Sequence, residues 1–180
     1  NPVNLGRVLR AFPRASFLLL LRHPRTRGKS QYSTISKVLE KNRIGGLGFE
    51  PDVEWKWTGT NLMALELGQS LALGQFMHIR GEELLRSMDL YLPQICEWLG
   101  IRTDADAIDA MLHPERSPYA TIGPAGARHG NNGKFLKGPE LDFERLASMP
   151  DPKLDGPLDW NAEAEFRPQT RRLAYSFGYR

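Results

Sequence analysis

Phe17-Leu-Leu-Leu-Leu21 is an unbroken apolar run that stops abruptly at Arg22-His-Pro-Arg-Thr-Arg27. Together with Ser16 it predicts a strand. Its lack of alternation predicts burial on both faces, as in a parallel sheet covered by helices. The flanks agree. Leu5, Val8, Leu9 and Phe12 fall at i, i+3, i+4 and i+7, one face of a helix, with Pro2 near its start and Pro13 past its end. Tyr32, Ile35, Val38 and Leu39 give a second helical pattern. Residues 3–43 therefore read as helix, buried strand, helix, a unit of an α/β fold with a central parallel sheet.

Further along, residues 44–58 look irregular, because Gly45, Gly46, Gly48 and Pro51 break any period. A helix is expected from about Thr60 to Leu73, a second strand over Gln75–Arg80, and a helix over Met88–Leu99 stopped by Gly100. Pro93 should kink that helix or mark a restart. A short helix is expected over Asp104–Met111, a long loop-rich stretch over 114–160, and a last helix from Pro168 that packs through Leu173 and Phe177.

A length of 180 residues allows one domain or part of one. With 41% hydrophobic and 25% charged residues, disorder and collagen are excluded as the main state. The single cysteine, Cys96, excludes a disulfide scaffold and a cysteine-rich zinc module, and favours a reducing, cytoplasmic compartment. No apolar run approaches the roughly 20 residues that span a bilayer, so no membrane-spanning segment is expected. Charge is distributed unevenly. Residues 1–43 carry ten Lys/Arg against one acid, a net of +9, and the remainder carries fourteen against twenty, a net of −6. A basic first quarter suggests an anionic partner: nucleic acid, a membrane surface or a phosphorylated small molecule.

Two segments could hold an anion. Arg22 follows the buried strand, where ligands of open α/β sheets bind, and Ser30 lies early in the next helix. An arginine fork and a hydroxyl there suit a phosphate, although a solvated Arg-Pro loop has the same spacing. Gly126-Ala-Arg-His-Gly-Asn-Asn-Gly-Lys134 could form an anion nest or an ordinary surface loop.

These residues resemble a family. Phe17 to Arg25, with Ser30 eight positions after Arg22, looks like the 3′-phosphate-binding segment of the sulfotransferases, which use 3′-phosphoadenosine 5′-phosphosulfate (PAPS). Arg80-Gly-Glu-Glu-Leu84 and the helix ending Ile95-Cys-Glu-Trp-Leu-Gly100 resemble the family's Arg-Tyr-Glu-Asp-Leu strand and Phe-Leu-Gly helix end. Arg128-His-Gly130-Asn-Asn-Gly133 is similar to its Arg-x-Gly-x-x-Gly loop, and the Phe-Gly-Tyr tail looks like that of bacterial members.

The resemblance implies a P-loop-NTPase-like sulfotransferase fold and transfer of a sulfuryl group from PAPS to an acceptor hydroxyl or amine. It implies that residues 1–180 are the C-terminal portion of a single domain, with the 5′-phosphosulfate loop in a missing N-terminal part. Arg22, Ser30, Arg128, His129 and Gly130 would hold the 3′-phosphate. Phe49, Trp55 and Trp57 would lie on a lid against a small-molecule or glycan acceptor, unless they only pack the loop down. No catalytic base is assigned. His23, His78, His113 and His129 are scattered, so no metal site is expected. Gly81 stands where the family has a tyrosine near adenine, so adenine contacts there must differ.

Two rival readings are a P-loop-like nucleotide kinase and a non-catalytic nucleotide- or nucleic-acid-binding module. The Arg22–Ser30 pair with the later glycine loop argues against the kinase. The scatter of the arginines over a helix, a strand end and a loop argues against nucleic acid.

Overall fold

The structure is a computed structural model that describes residues 2–42, 51–118, 138 and 140–180. The chain forms two compact units, Asn1–Gly81 with Pro150–Arg180, and Glu82–Met149.

The first unit is built on two parallel strands, β1 (Phe17–Leu21) and β2 (Phe76–Arg80), in register from Phe17 opposite Phe76 to Leu21 opposite Arg80. Helix α1 (Pro2–Ala11) precedes β1, and helices α2 (Pro24–Lys41) and α3 (Val53–Ser70) make the crossover to β2 that parallel strands require. This confirms the helix–strand–helix reading and the α/β class, with a sheet of two strands among the described residues.

The expectation of a strand buried on both faces is corrected. Leu21 is buried and Leu19 packs against the core, whereas Leu18 and Leu20 are 42% and 56% exposed. Side chains alternate across a strand, and the core gathers on the Leu19–Leu21 side alone. That core joins Leu21 and Trp57 to Leu154, Leu158 and Phe166, and to Leu173, Ala174 and Phe177 of the closing segment. Helix α8 (Pro168–Ser176) supplies Leu173 and Ala174, and Leu173 and Phe177 are the two residues expected to pack there.

Residues 53–58 are a second correction. They are helical, not irregular, because Asp52 caps α3 by accepting a hydrogen bond from the Trp55 N–H at 2.8 Å. Local capping chemistry overrides the glycines and proline upstream. Helix α3 also ends at Ser70, three residues before the expected Leu73.

The second unit holds α4 (Gly81–Arg86) from Glu82 onward, α5 (Met88–Leu99), α6 (Ala105–Leu112), a 3-10 turn (Pro114–Arg116) and α7 (Phe143–Ala147). Gly100 ends α5 in the left-handed conformation at φ 67°. Pro93 lies inside α5 without dividing it, so the restart is not seen. Asp104 caps α6 by accepting from the Ala107 N–H, as Asp142 caps α7 from the Arg145 N–H. Among the described residues no helix is long and apolar enough to cross a membrane.

Candidate active site at the carboxyl ends of the strands

In open α/β sheets ligands bind beyond the carboxyl ends of the strands. Here β1 ends at buried Leu21, and the chain turns through exposed Arg22 and buried His23 into α2. His23 caps that helix, its Nδ1 accepting from the Arg25 N–H at 3.1 Å, and Pro24 occupies the first helical position, where its missing N–H costs nothing. The ring of His23 meets Tyr179 edge-on at 4.9 Å.

The arginine is held by its backbone. The buried Trp57 indole N–H of α3 donates to the Arg22 carbonyl at 2.9 Å, so the side chain projects from a fixed point. Beside it is a cavity of about 190 Å³ lined by Leu19, Leu20, Arg22, Arg27 and Gln31 on one side. Lys56, Trp57, Thr60 and Asn61 line the other. Among the described residues, the side chains of Arg22, Arg27 and Lys56 have neither an ion pair nor a hydrogen bond.

Arg25, in the same basic burst, does something else. Its guanidinium donates to the carbonyls of Lys153, Asp155, Gly156 and Pro157 and to the Asp159 carboxylate, at 2.5–3.2 Å. It is the hub around which the 153–159 segment wraps. Lys29 reaches Asp159 at 3.2 Å as well. Burial would raise the Asp159 pKa, but the hydrogen bonds from Lys29 and Arg25 outweigh it and hold the carboxyl below its usual value.

Of the residues picked from sequence, Arg22 stands at the strand end as expected. Ser30 is exposed on α2 and does not line the Arg22 cavity; its backbone carbonyl accepts from the Thr34 hydroxyl at 2.9 Å. Trp55 and Trp57 are on α3 rather than on an irregular lid. Trp55 is exposed, and Trp57 is a core residue, 5% exposed. Phe49, Arg128, His129 and Gly130 lie outside the described residues. His78 is exposed at the sheet, against Phe177, and His113 bonds Glu115 at 2.8 Å. Among the described residues no cluster of His, Cys, Asp or Glu could hold a metal. Arg27, Gln31 and Lys56 were not singled out from sequence. The four-residue spacing of Arg27 and Gln31, which places both on one face of α2, is the signal that could have found them.

Other hollows belong to this unit as well. One of about 270 Å³ lies at the end of β2 between His23, Arg80, Gly178, Tyr179 and Arg180. There Arg80 donates to the Gly178 carbonyl at 2.5 Å and lies 5.5 Å from the Tyr179 ring centroid. Another, of about 450 Å³, is walled by Tyr32, Asp52, Glu54, Trp160 and Arg167. Its size does not make it the anion site. Its acids are already engaged, Asp52 by Arg167 at 2.7 Å and buried Glu54 by the Arg167 N–H and the Thr170 hydroxyl at 2.6 and 2.5 Å.

A sequence profile described as the sulfotransferase family matches residues 1–105, more than half of the chain and all of the Arg22 site. The chain belongs to the sulfotransferase family. Comparison with curated protein sequences finds no match. Two solved structures share the fold. The sulfotransferase domain from the curacin biosynthetic pathway is 22% identical with a TM-score of 0.69, over 100% of this chain and 59% of that one. The sulfotransferase domain from the Synechococcus PCC 7002 olefin synthase is 24% identical with a TM-score of 0.56, over 92% of this chain and 50% of that one. The chain thus spans between half and three-fifths of the length of these structures.

Within this sulfotransferase-family chain, Gly81 has a steric explanation. A Cβ placed there would come within 2.9 Å of the Leu21 carbonyl oxygen. The two strand ends are too close at that point for a side chain, so the tyrosine found there in the family has no room.

Proposed function

We propose that this chain is part of a PAPS-dependent sulfotransferase that passes a sulfuryl group to a hydroxyl or amine of a small-molecule or glycan acceptor. One observation carries the reading: an exposed arginine, clamped through its carbonyl by Trp57, stands at the end of a parallel strand beside an unpaired cationic cavity. The acceptor atom attacks sulfur in line, the bond from sulfur to the bridging oxygen breaks, and adenosine 3′,5′-bisphosphate leaves while the acceptor gives up its proton.

This chain would contribute binding and orientation. Arg22, with Ser30 and the Arg128–His129–Gly130 loop, would hold the 3′-phosphate and fix the angle at which sulfur meets the acceptor. The buried, free thiol of Cys96 accords with a reducing cytoplasmic setting. Calorimetry tests the donor. Adenosine 3′,5′-bisphosphate should bind much more tightly than adenosine 5′-phosphate, and equal affinities would remove the 3′-phosphate site.

A further inference from the structure

We infer that Arg22, Arg27, Gln31 and Lys56 form a single site for a doubly charged oxyanion, a phosphate or sulfate group carried by a ligand. Three residues of this site lie outside the family motif quoted above. The inference deepens the donor-site reading, on which it rests only for the source of the anion.

Helices α2 and α3 present these groups by simple spacing. Arg27 and Gln31 are four apart on α2, as are Lys56 and Thr60 on α3, and the two pairs face each other across the cavity at the strand end. Among the described residues no carboxylate lines that cavity, so its three described cations have no counter-charge among them. Like charges held together repel unless an anion sits among them.

Gln31 is an independent indicator. It is 7% exposed, lines the cavity, and its amide makes no hydrogen bond among the described residues. Its amide atoms stay accessible although the residue as a whole is buried, and the N–H groups suit an oxyanion oxygen. Asn61 is fixed differently, donating to the Trp57 carbonyl at 2.9 Å. A cavity of about 190 Å³ is below the roughly 300–1,000 Å³ of a pocket for a whole drug-sized ligand, so it fits one charged group and its attachment. Ser30 does not line this cavity, which Arg22 shares with α2 and α3 residues outside the family motif.

The test titrates the full chain with inorganic phosphate at fixed ionic strength and with adenosine 3′,5′-bisphosphate. Arg27→Gln and Lys56→Met should each weaken binding of at least one probe by about tenfold or more, as expected for a lost charge-assisted bond. Gln31→Leu should weaken it while leaving the melting temperature unchanged, since the amide makes no hydrogen bond among the described residues. A merely structural Gln31 would show the reverse.

Competition between phosphate and bisphosphate assigns the anion to the nucleotide. Simultaneous binding assigns it to a group on the acceptor. Either result supports the site. Wild-type affinity for both probes in all three variants would overturn it, even if Arg22→Ala abolished bisphosphate binding and so left the donor reading intact. Conversely, phosphate binding that depends on all four residues, with no bisphosphate binding, would keep the site and remove the donor reading.

Discussion

Arg22 and Arg25 stand three positions apart in one basic burst, and the fold gives them opposite work. Every donor direction of the Arg25 guanidinium is taken up by the 153–159 segment, whereas Arg22 presents its side chain to an open cavity. Arg25→Lys should therefore destabilise almost as much as Arg25→Ala, because an ammonium cannot reproduce the planar fork. A loss of about 2–4 kcal/mol in denaturant unfolding is expected, the bonds to a charged group being worth about 1.5–3 kcal/mol each and not additive. Sequence could not separate the two arginines, because the carbonyls that surround Arg25 come from a loop about 130 residues away. Gly81 was equally illegible: its departure from the family motif was visible, but the reason, the Leu21 carbonyl on the neighbouring strand, was not. Gly81→Tyr should cost about 1–3 kcal/mol by overpacking rather than restore an adenine contact, and the same unfolding measurement checks it.

At the scale of elements, strongly periodic segments were readable and the entrance to α3 was not. Helices α1, α2, α5, α6 and α8 and both strands fall close to where spacing and breakers put them. The start of α3 was hidden because its tryptophans followed a glycine-rich stretch, and because the Asp52 cap is a single residue. The helical start matters for function, since it places Trp57 in the core rather than on a lid. The two tryptophans should now separate cleanly. Trp57→Phe keeps most of the apolar burial but leaves the Arg22 carbonyl without its donor, costing about 1–3 kcal/mol and weakening bisphosphate binding through Arg22. Trp55→Ala, at an exposed position, should change stability by no more than about 0.5 kcal/mol. Thermal unfolding and calorimetry on both variants check this. The half-exposed β1 is illegible for another reason: Phe17 and the four leucines after it carry no alternation, so only packing shows which of them face the core.

Over the whole molecule, the uneven charge predicted an anionic partner, and the described cations divide into paired and unpaired sets. Lys29, Arg25 and Arg167 are tied to Asp159 and Asp52, and Arg22, Arg27 and Lys56 are not tied to anything described. The tied set governs stability in acid. Burial would raise the pKa of Asp159 and of Asp52, but hydrogen bonds lower both below 3.8, from Lys29 and Arg25 at Asp159, and from the Trp55 N–H and Arg167 at Asp52. The folded carboxyls release their protons more readily than the unfolded ones, so unfolding takes up protons. Their contribution is complete above pH 3.8 and fades as the pH falls through the lower folded values. A melting temperature that falls below about pH 4 in the wild type, and falls less in Asp159→Asn, is the expected result. The family could be read from motif order along the chain, but the α2–α3 cavity could not, because it joins residues nearly 30 positions apart.

The most direct measurement is the affinity of Arg22→Ala for adenosine 3′,5′-bisphosphate, set beside its unfolding curve. Because the Arg22 side chain is exposed while its backbone is clamped, the variant should fold normally and bind the nucleotide roughly tenfold to a hundredfold more weakly, with Arg22→Lys recovering part of the loss. A correctly folded Arg22→Ala protein with wild-type affinity would contradict the assignment of a donor nucleotide to this strand end.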